Sequence, residues 1–592
     1  MEPSKPGGAR PSKVEAIKLA SQYLKSFVAD ELHNGKSHFT EDAATILKFH
    51  GSYQQDDRDV RGRLKKEGKE KAHQFMVRVR VVGGRLSGRQ YLACDRLAQT
   101  LGSGSLRITT RQEFQLHGVL RHDLGTTIRQ INEALLSTLA ACGDVERNVL
   151  CCPAPISDPI RDDLNADARR WASHCAPRSS SYWEIWLDGE RIETLPAAGH
   201  AQVPTAGDDP VEPLYGKTYL PRKFKTAFGL PEDNCTDIHA NDLGFLGVVE
   251  GERLVGYNVL VGGGLGTTPS AQKTFPFLSV PLCYVDRDDV LSIGEAILKV
   301  YRDFGSRSDR KRARLKYIIH DWGLPAFRAK VEDYLGRPVL DPKPVAVTGV
   351  DDHLGWHPQG DGKLFLGIPV ENGRIKDEGG YRLATGLRVF FQEYETPARL
   401  TCQQSILLAD LEPAWRPAVE SWLEAHGIAT VEQISTVRRW SMACPALPTC
   451  GLAVTEAERA LPGLLDELEI ELAQLGLDQE LFTVRMTGCP NGCARPYNAD
   501  IGLVGRSAHI HADGTPGPGT YTIFLGGRMA GDRLNIEFKD YVPYDRVVAE
   551  LVPVFRRFKV DRQEGESFGD YCDRIGVEHL SGAPAAEVNS VI

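Results

Sequence analysis

The chain has 592 residues, of which 42% are hydrophobic, and it carries a formal net charge of −9 at pH 7. This length predicts roughly three or four domain-sized units, and no run approaches the roughly 18 apolar residues that a membrane span needs. The N-terminal segment lacks the apolar core of a secretory signal, and 13 unevenly spaced cysteines are typical of a reducing compartment. We therefore expect a cytoplasmic protein with no membrane contact, whose thiols stay free or bind metal.

Hydrophobic periodicity predicts both helices and strands along the chain. The segments with apolar residues three and four apart, which predict helices, are YLACDRLAQTLG (91–102), VLSIGEAILKVYRDFG (290–305) and TEAERALPGLLDELEIELAQLG (455–476). LRITTRQEFQLHGV, from Leu106, and ARLTCQQSILLADL, from Ala398, alternate in the manner of a half-buried strand. Residues 1–12, 197–212 and 340–352 are predicted linkers.

Four blocks of the first half recur in the same order in the second half. The two alternating segments at Leu106 and Ala398 form the first pair; the others are RNVLCCPA (147–154) with RWSMACPA (439–446), NDLGFLG (241–247) with ADIGLVG (499–505), and YNVLVGG (257–263) with YTIFLGG (521–527). The repeated order indicates a duplicated α+β unit with mixed layers of sheet and helix.

Four cysteines of the second half have the spacing of a metal site. Cys444 and Cys450 form a C-x5-C pair, and Cys489 and Cys493 form a C-x3-C pair in TGCPNGCARP, each beside prolines. Four thiolates suit an iron–sulfur cluster or zinc, although the five-residue gap fits a zinc hairpin poorly; buried free thiols are the third alternative. The first half keeps Cys152 beside proline without a second cysteine pair, so we expect the full site only in the second half.

The remaining cysteines have no such pattern. We expect Cys94, Cys142, Cys175, Cys235, Cys283 and Cys572 to be small buried hydrophobic side chains.

Basic residues concentrate in two segments. Residues 302–316 contain seven basic and two acidic residues, and YLPRKFK adds Arg222, Lys223 and Lys225. Such runs form solvated helix faces or nucleic-acid patches, but neither carries the interleaved aromatic residues or the helix-turn-helix pattern of nucleic-acid binding. We therefore expect that the protein binds no nucleic acid and that these basic segments bind a different polyanion.

With RITTRQEFQLHG, RNVL, YLPRKFK and LVGGGLG in the same order, the cysteine motif resembles the sirohaem-containing sulfite and nitrite reductases, and most closely the assimilatory sulfite reductases. The resemblance runs from FHGSYQQDDRDVRG, near residue 49, to ESFGDYCDRIG, near residue 576. It implies an α+β fold of two ferredoxin-like half-domains and two larger α/β domains, with the cofactors at their junction. The implied parts are an N-terminal extension (1–75), the half-domains (76–140 and 342–430), a first sirohaem-binding domain without a cluster (141–341) and a second domain carrying a 4Fe-4S cluster (431–592).

The resemblance also implies the cofactors and their residues. Cys444, Cys450, Cys489 and Cys493 would hold a 4Fe-4S cluster, and Cys493 would also be the axial ligand of the sirohaem (siroheme) iron. The residues implied around the macrocycle are Arg107, Thr109, Arg111, Gln115, His117, Arg222, Arg310 and Lys311, whereas Arg307, Arg312 and Arg314 fit the surface equally well. The catalytic cations over the open iron face would be Arg78, Arg147, Lys223 and Lys225.

The implied activity is the six-electron reduction of sulfite to sulfide in sulfate assimilation. LVGGGLG lacks the strand-to-helix context of a dinucleotide site, so electrons would come from another protein, with ferredoxin favoured over a flavoprotein. A ferredoxin-nitrite reductase is the alternative enzyme, although those enzymes tend to carry asparagine at the position of Lys225. A structural zinc protein or a nucleic-acid-binding module is the alternative of another class. Some relatives carry a covalent tyrosine–cysteine link, for which Tyr53 and Cys152 are the candidates.

Overall fold

The structure is a computed structural model of the chain. It describes residues 10–189, 212–268, 271, 273–510 and 516–580. The predicted linkers 1–12 and 197–212 lie almost entirely outside these residues, whereas 340–352 is described and contains neither helix nor strand. Within the same ranges, no helix has the length and apolar character that crossing a bilayer would require.

Residues 10–140 pack short helices on an antiparallel sheet. The elements are α1 (Lys13–Ala20), α2 (Val28–Glu31), α3 (Glu41–Leu47), β1 (Ser52–Asp56), α4 (Arg58–Lys66), β2 (His73–Val79), β3 (Arg85–Leu86), α5 (Gly88–Thr100), β4 (Leu106–Ile108), β5 (Phe114–Val119) and α6 (Leu124–Glu133). The predicted helix 91–102 is confirmed as α5, which starts three residues earlier because Ser87 and Gln90 form a capping box.

The segment from Leu106 is a hairpin, so the prediction of a single alternating strand there is wrong. Strands β4 and β5 pair antiparallel, and the chain turns between them. Gln112 adopts a positive φ of 55°, and the Thr109 hydroxyl accepts hydrogen bonds from the backbone amides of Arg111 and Glu113. Arg111 therefore lies on a turn, where strand alternation does not apply.

The next layer is a four-stranded sheet with helices beside it. Its elements are α7 (Pro159–His174), α8 (Ser181–Trp186), β6 (Thr226–Gly229), β7 (Leu243–Glu250), β8 (Arg253–Val261), β9 (Val280–Asp286), α9 (Val290–Phe304), α10 (Leu315–Trp322) and α11 (Leu324–Leu335). The strand order is β6-β7-β8-β9, with only β6 and β7 parallel. The predicted helix 290–305 is confirmed as α9.

The second half begins with another small antiparallel sheet. Its elements are β10 (Gly355–Pro358), β11 (Leu364–Ile368), β12 (Arg374–Ile375), β13 (Asp377–Glu378), β14 (Tyr381–Arg382), α12 (Leu383–Tyr394), β15 (Ala398–Leu400), β16 (Ile406–Leu411) and α13 (Arg416–Ala425). The two small sheets exchange edge strands, in the orders β1-β2-β5-β4-β12 and β10-β11-β16-β15-β3. This reciprocal exchange joins the halves, and one apolar core runs through both small sheets and the first large layer.

The last layer is a five-stranded sheet with its own apolar core against α15 and α16. Its elements are α14 (Thr436–Arg439), β17 (Ser441–Ala443), α15 (Leu461–Leu475), β18 (Val484–Thr487), β19 (Ile501–Ile510), β20 (Pro516–Leu525), β21 (Ile536–Pro543), α16 (Val547–Asp561) and α17 (Phe568–Ile575). The helix predicted from residue 455 starts at Leu461, because Pro462 is favoured only in a first turn.

Strand register confirms the duplication. Gly247 pairs with Tyr257 in the first large sheet, and Gly505 pairs with Tyr521 at the matching place in the second. The hairpins β4–β5 and β15–β16 also share one register, and the segment from Ala398 likewise turns, at Gln404 with a φ of 67°. The repeated blocks therefore occupy equivalent places in two copies of one unit.

Candidate functional site

The four cysteines of the second half meet at one edge of the last sheet. Cys444 follows β17 directly, and Cys489 and Cys493 follow β18, which lies parallel to β17. Parallel strands end at the same edge, so the two cysteine loops lie side by side. Cys450 closes the first loop by donating its backbone amide to the carbonyl of Ala446 at 2.8 Å.

Glycine is required where the two cysteine loops touch. A Cβ atom on Gly488 would lie 2.6 Å from the Cβ of Ala446 and 2.6 Å from the carbonyl oxygen of Thr455. The backbone amide of Gly488 donates a hydrogen bond to Cys444 Sγ at 3.4 Å, and Asn491 Nδ2 donates to Cys489 Sγ at 3.4 Å. These contacts orient two of the thiols toward the loops' common edge.

The four thiols share one electrostatic environment. Burial raises the pKa of Cys444, Cys450 and Cys489, to about 12 for Cys489, and the Cys493 sulfur raises each of them further. All 13 cysteines are unpaired, and Cys493 is exposed whereas Cys444 and Cys489 are buried. Three thiols whose ionisation is disfavoured by burial and by a neighbouring sulfur fit a polycationic metal centre, which would offset that cost.

One face of the first small sheet carries polar side chains toward this edge. In register across β2, β5 and β4, Arg78 is opposite Gln115, and Gln115 is opposite Arg107. Cross-strand partners share a face, so the three side chains lie in a row. His117, two residues beyond Gln115, bonds to the Gln115 side chain at 3.3 Å.

Arg107 is already bound by protein groups. Its guanidinium pairs with Glu458 at 2.7 Å and donates to the carbonyl of Ala443, next to Cys444, at 2.8 Å. Arg374 binds the same Glu458 carboxylate at 2.6 Å. Arg107 therefore fixes the position of the cysteine loop, which is a different contact from the one that the family resemblance implies.

The other residues expected around the macrocycle fall into two groups. Thr109 and Arg111 are buried in the hairpin turn, where Arg111 Nη1 donates to Asn241 Oδ1 at 3.1 Å. Arg310 and Arg222 instead lie beside the buried carboxylate of Asp144. Arg310 pairs with it at 2.8 Å, and Arg222 lies 3.8 Å from it. Lys311 is exposed.

The four cations expected over the open face occupy adjoining elements. Arg78 lies on β2, Arg147 pairs by its backbone amide with the carbonyl of Phe224, and Lys223 and Lys225 flank Phe224. Phe224 is fully buried and both lysines are partly exposed, so the two lysines lie on the side opposite Phe224.

These lysines lose proton affinity in this setting. Burial lowers the pKa of Lys223 well below its ordinary value, and neighbouring Lys225 and Arg314 lower it further. Burial, Arg111 and Arg314 lower the pKa of Lys225 in the same way, while the Cys493 sulfur and Asp242 oppose the change. The Cys493 sulfur therefore acts on Lys225, as it also does on Arg78.

Arg314 is a residue of this pocket that the sequence left undecided. Its guanidinium pairs with the buried Asp242 at 2.7 Å and donates to the carbonyl of Gly263 at 3.3 Å. The signal available in the sequence was its place in the basic run beside YLPRKFK, but that run also contains Arg312, which binds Asp321 near the surface.

The structure shows two contacts that the sequence does not predict, those of Cys142 and Arg58. The Tyr53 hydroxyl hydrogen-bonds to Cys142, whereas Cys152 contacts Asp233, so the candidate pairing of Tyr53 with Cys152 is wrong. Arg58 donates to the carbonyl of Cys450 at 3.2 Å. Neither contact has a local spacing signal, because each joins residues far apart in the chain.

The glycine run LVGGGLG has a structural role beside the cysteines. Lys316 Nζ donates to the carbonyls of Gly264 and Gly266, at 2.8 and 3.0 Å, and the amide of Thr267 donates to the carbonyl of Pro490 at 2.9 Å. The loop therefore packs backbone against backbone on the turn between Cys489 and Cys493.

Buried nitrogen atoms without partners show where an anion fits. Among the described residues, such atoms include Nε of Arg78, Arg111 and Arg485 and Nδ1 of His117. An unpaired buried donor is costly, more so when it is charged. These residues surround the Cys493 edge and fit a buried polycarboxylate such as sirohaem, while the four thiols fit a cluster.

Comparison with known proteins adds an independent line. The chain matches the family model described as "Nitrite and sulphite reductase 4Fe-4S domain" over residues 166–339 and 436–585, and the model described as "Nitrite/Sulfite reductase ferredoxin-like half domain" over 66–134 and 357–426.

Individual relatives span nearly the whole chain. A Synechococcus elongatus protein named sulfite reductase (ferredoxin) is 47% identical over 577 residues, covering 96% of this chain and 90% of that protein. A Myxococcus xanthus protein named sulfite reductase (NADPH) hemoprotein beta-component is 41% identical, covering 95% and 96%. The solved structure of Mycobacterium tuberculosis NirA protein superposes with a TM-score of 0.76 at 27% identity, covering 96% of this chain and 98% of that one.

Along the chain, a ferredoxin-like half-domain segment is followed by a 4Fe-4S domain segment, and this order occurs twice. The structure has its small and large sheets in the same order. By family match, by full-length relatives and by fold, the chain belongs to the nitrite and sulphite reductase family.

Proposed function

We propose that this chain is an assimilatory sulfite reductase that reduces sulfite to sulfide with six electrons. The observation that carries the proposal is a group of four neighbouring cations, Arg78, Arg147, Lys223 and Lys225. The Cys493 sulfur raises the pKa of two of them, Arg78 and Lys225. When bound, sirohaem and a 4Fe-4S cluster supply the electrons and an iron that accepts the substrate. Cys444, Cys450, Cys489 and Cys493 would hold the cluster, and Cys493 would also bind the sirohaem iron.

The protein groups divide the remaining work between binding and proton supply. The guanidinium of Arg147 keeps its charge in the pocket, because Tyr53 and Cys142 raise its pKa against the effect of burial. A fixed cation of this kind orients an oxyanion. Lys223 and Lys225 have lowered pKa values, so they release protons more readily than ordinary lysines and can protonate departing oxygen atoms.

Nitrite reduction is the second candidate, because the same family includes enzymes for both anions. Lys225 favours sulfite: sulfite carries two charges once its second proton has left and nitrite carries one, so a fourth cation adds more to sulfite binding.

For the electron donor we propose ferredoxin, in the cytoplasm, with a flavoprotein as the alternative. The support is the 47% identity to a relative named for ferredoxin, against 43% for relatives named for NADPH, together with 13 unpaired thiols, which suit a reducing compartment.

The test measures the visible spectrum, the iron content and the steady-state rates of the purified holoprotein. We expect sirohaem absorption, about five iron atoms per chain from the two cofactors, and a higher kcat/KM for sulfite than for nitrite with one common reductant. Reduced ferredoxin is then compared with NADPH plus a flavoprotein reductase. A colourless protein, or a preference for nitrite, would contradict the proposal.

A further inference from the structure

A second group of metal-ligand side chains lies in the first half, outside the site described above. It consists of Cys152, Asp233, Cys235 and His353, all buried, with one ligand atom from each lying within 4.8 Å of all the others. Among the described residues, this is the group of His, Cys, Asp and Glu side chains whose ligand atoms lie this close together. The four cysteines at the Cys493 edge are spread more widely, as a cluster of several metal atoms requires.

The contacts within this group are those of donors facing one point. Cys152 Sγ lies 2.9 Å from Asp233 Oδ2 and 3.7 Å from His353 Nε2, and His353 Nε2 lies 3.1 Å from the same carboxylate oxygen. The thiols of Cys152 and Cys235 are within hydrogen-bond reach of each other. Ligand atoms around a tetrahedral zinc ion are roughly 3.3 to 3.8 Å apart, given metal–ligand bonds of about 2.0 to 2.3 Å. The three separations given above lie within about 0.4 Å of that range, and every other pair of ligand atoms lies within 4.8 Å.

The duplication explains why the donors stand here. Cys152 is the counterpart of Cys444 in the repeated blocks, and Cys235 stands eight residues before Leu243 as Cys493 stands eight residues before Ile501. Cys235 has no local spacing signal in the sequence, because Pro231 stands where the second half has the first cysteine of its C-x3-C pair.

Backbone geometry supports the same alignment. Asp237 and Arg495, each two residues after the matching cysteine, both have left-handed conformations with φ of 52° and 56°. Each precedes a short 3-10 helix, Ile238–Ala240 in the first half and Pro496–Asn498 in the second. The first half therefore keeps the backbone and two of the four thiols of the cluster site.

The other two donors replace the missing thiols. Pro231 stands where the second half has Cys489, and Asp233 stands where it has Asn491, counted from the same strands. His353 comes from the segment that joins the halves. Exchanging two sulfur ligands for a shorter oxygen and nitrogen pair contracts the site from the size of a cluster to that of one ion.

Neighbouring groups hold the donors in place. The amides of Cys235 and Asp351 donate to Asp233 Oδ1 at 3.1 and 3.3 Å, which leaves Oδ2 for a metal. His353 Nδ1 lies 3.7 Å from a carboxylate oxygen of Asp351, slightly longer than a hydrogen bond. A carboxylate is a usual partner for the second ring nitrogen of a metal-bound histidine. Arg161, the cation on this side, binds Asp158 at 2.8 Å.

From this geometry we propose that Cys152, Asp233, Cys235 and His353 bind one structural zinc ion. The ligand set is closed, with four protein donors and no position left for substrate, so the role is to anchor the segment between the halves to the first half. Two buried thiols, a carboxylate and an imidazole are costly to pack together without a cation, and zinc accepts all three ligand types.

The decisive experiment is metal analysis of the wild-type holoprotein, expressed with zinc and dialysed against EDTA. We expect about one zinc ion per chain in addition to cofactor iron, and a zinc K-edge absorption spectrum with two sulfur ligands at about 2.3 Å and two nitrogen or oxygen ligands at about 2.0 to 2.1 Å. Less than about 0.2 zinc per chain would overturn the proposal, as would a shell of only nitrogen and oxygen ligands.

Variants locate the ion. Cys235→Ser and His353→Gln should each lower the zinc content at least about fivefold, whereas Cys283→Ser, which changes a buried thiol on β9 outside the group, should leave it unchanged. Peptide mapping after alkylation of the wild type should find Cys152 and Cys235 unlinked; a disulfide between them would also overturn the proposal. Zinc content is independent of sulfite turnover, so each proposal can fail alone.

Discussion

The two halves of the molecule present the same sheet edge with different chemistry. At the ends of β17 and β18 the second half has Cys444, Cys489 and Cys493, whereas the matching edge of the first half has Cys152, Pro231 and Cys235. The strand register and the left-handed residue after each loop are the same. A duplicated backbone can therefore keep its geometry while a few side chains decide what the edge binds.

The cations are divided in the opposite way. Lys225 stands directly before β6, and the equivalent place before β18 holds Thr483; Arg78 on β2 corresponds to Gly367 on β11. The first half therefore supplies the four cations proposed to hold the substrate anion, and the second half supplies the four thiols proposed to hold the cluster. The site exists only because the small sheets exchange strands and bring the two edges together.

The largest effect is expected from removing the thiol that the two cofactors would share. Cys493→Ser should lower sulfite turnover at least about a thousandfold, because a hydroxyl is a much poorer ligand for iron than a thiolate. Steady-state assays and iron analysis check this. Cys572→Ala is the matched control, since Cys572 is a buried second-half thiol on α17, away from the cysteine loops. Equal turnover in both variants would remove Cys493 from its proposed role.

The sequence predicted the duplication, the fold class and the four cysteines that would meet at one place. Repeated blocks and short cysteine spacings are local patterns, so they can be recognised without the structure. It could not predict the hairpin turns at Gln112 and Gln404, where left-handed residues override an alternating pattern. It also missed Cys235 and the contact of Cys142 with Tyr53. Those contacts join residues far apart in the chain, so they depend on the assembled fold.

The next effect concerns the ion pair between the halves. Burial acts to raise the pKa of Glu458, but Arg374 and Arg107 outweigh it and lower the pKa to about 2, from an ordinary value of 4.5. A lowered folded-state pKa stabilises the fold above pH 4.5 and loses that contribution as the pH falls toward 2. The linkage is worth about 3 kcal/mol.

Glu458→Gln should therefore lower the stability at pH 7 by about that amount, with the difference from wild type shrinking below pH 4.5. Urea unfolding at pH steps from 7 to 3 measures it. Asp321→Asn, which changes a partly exposed carboxylate paired with Arg312, should leave the pH dependence unaltered. A pH-independent difference for Glu458→Gln would contradict the assignment.

A smaller effect should follow from blocking the contact of the cysteine loops. Gly488→Ala places a methyl group 2.6 Å from Ala446 and Thr455, an overpacking cost of about 1 to 3 kcal/mol. The first half has Leu230 at the matching place, so only the cluster edge needs this glycine. We expect lower cluster iron and a lower melting temperature. Gly125→Ala, on α6 with open space around it, should keep the cluster iron and should not lower the melting temperature, because alanine favours a helix more than glycine does.

The last prediction asks whether the fourth cation sets substrate choice. Lys225→Asn removes one charge from the pocket but keeps a polar side chain. In a partly desolvated site, a hydrogen bond to a charged group is worth about 1.5 to 3 kcal/mol, or roughly tenfold to a hundredfold in affinity. Sulfite, with two negative charges, should lose more of this than nitrite. The ratio of kcat/KM for sulfite to that for nitrite should therefore fall at least about tenfold, with nitrite turnover kept or raised.

Arg312→Gln, a change in the same basic run at a residue paired with Asp321, should keep the wild-type ratio. If Lys225→Asn binds both cofactors fully and also keeps that ratio, substrate choice lies with Arg78, Arg147 and Lys223 instead, because those three cations would then bind the oxyanion without it.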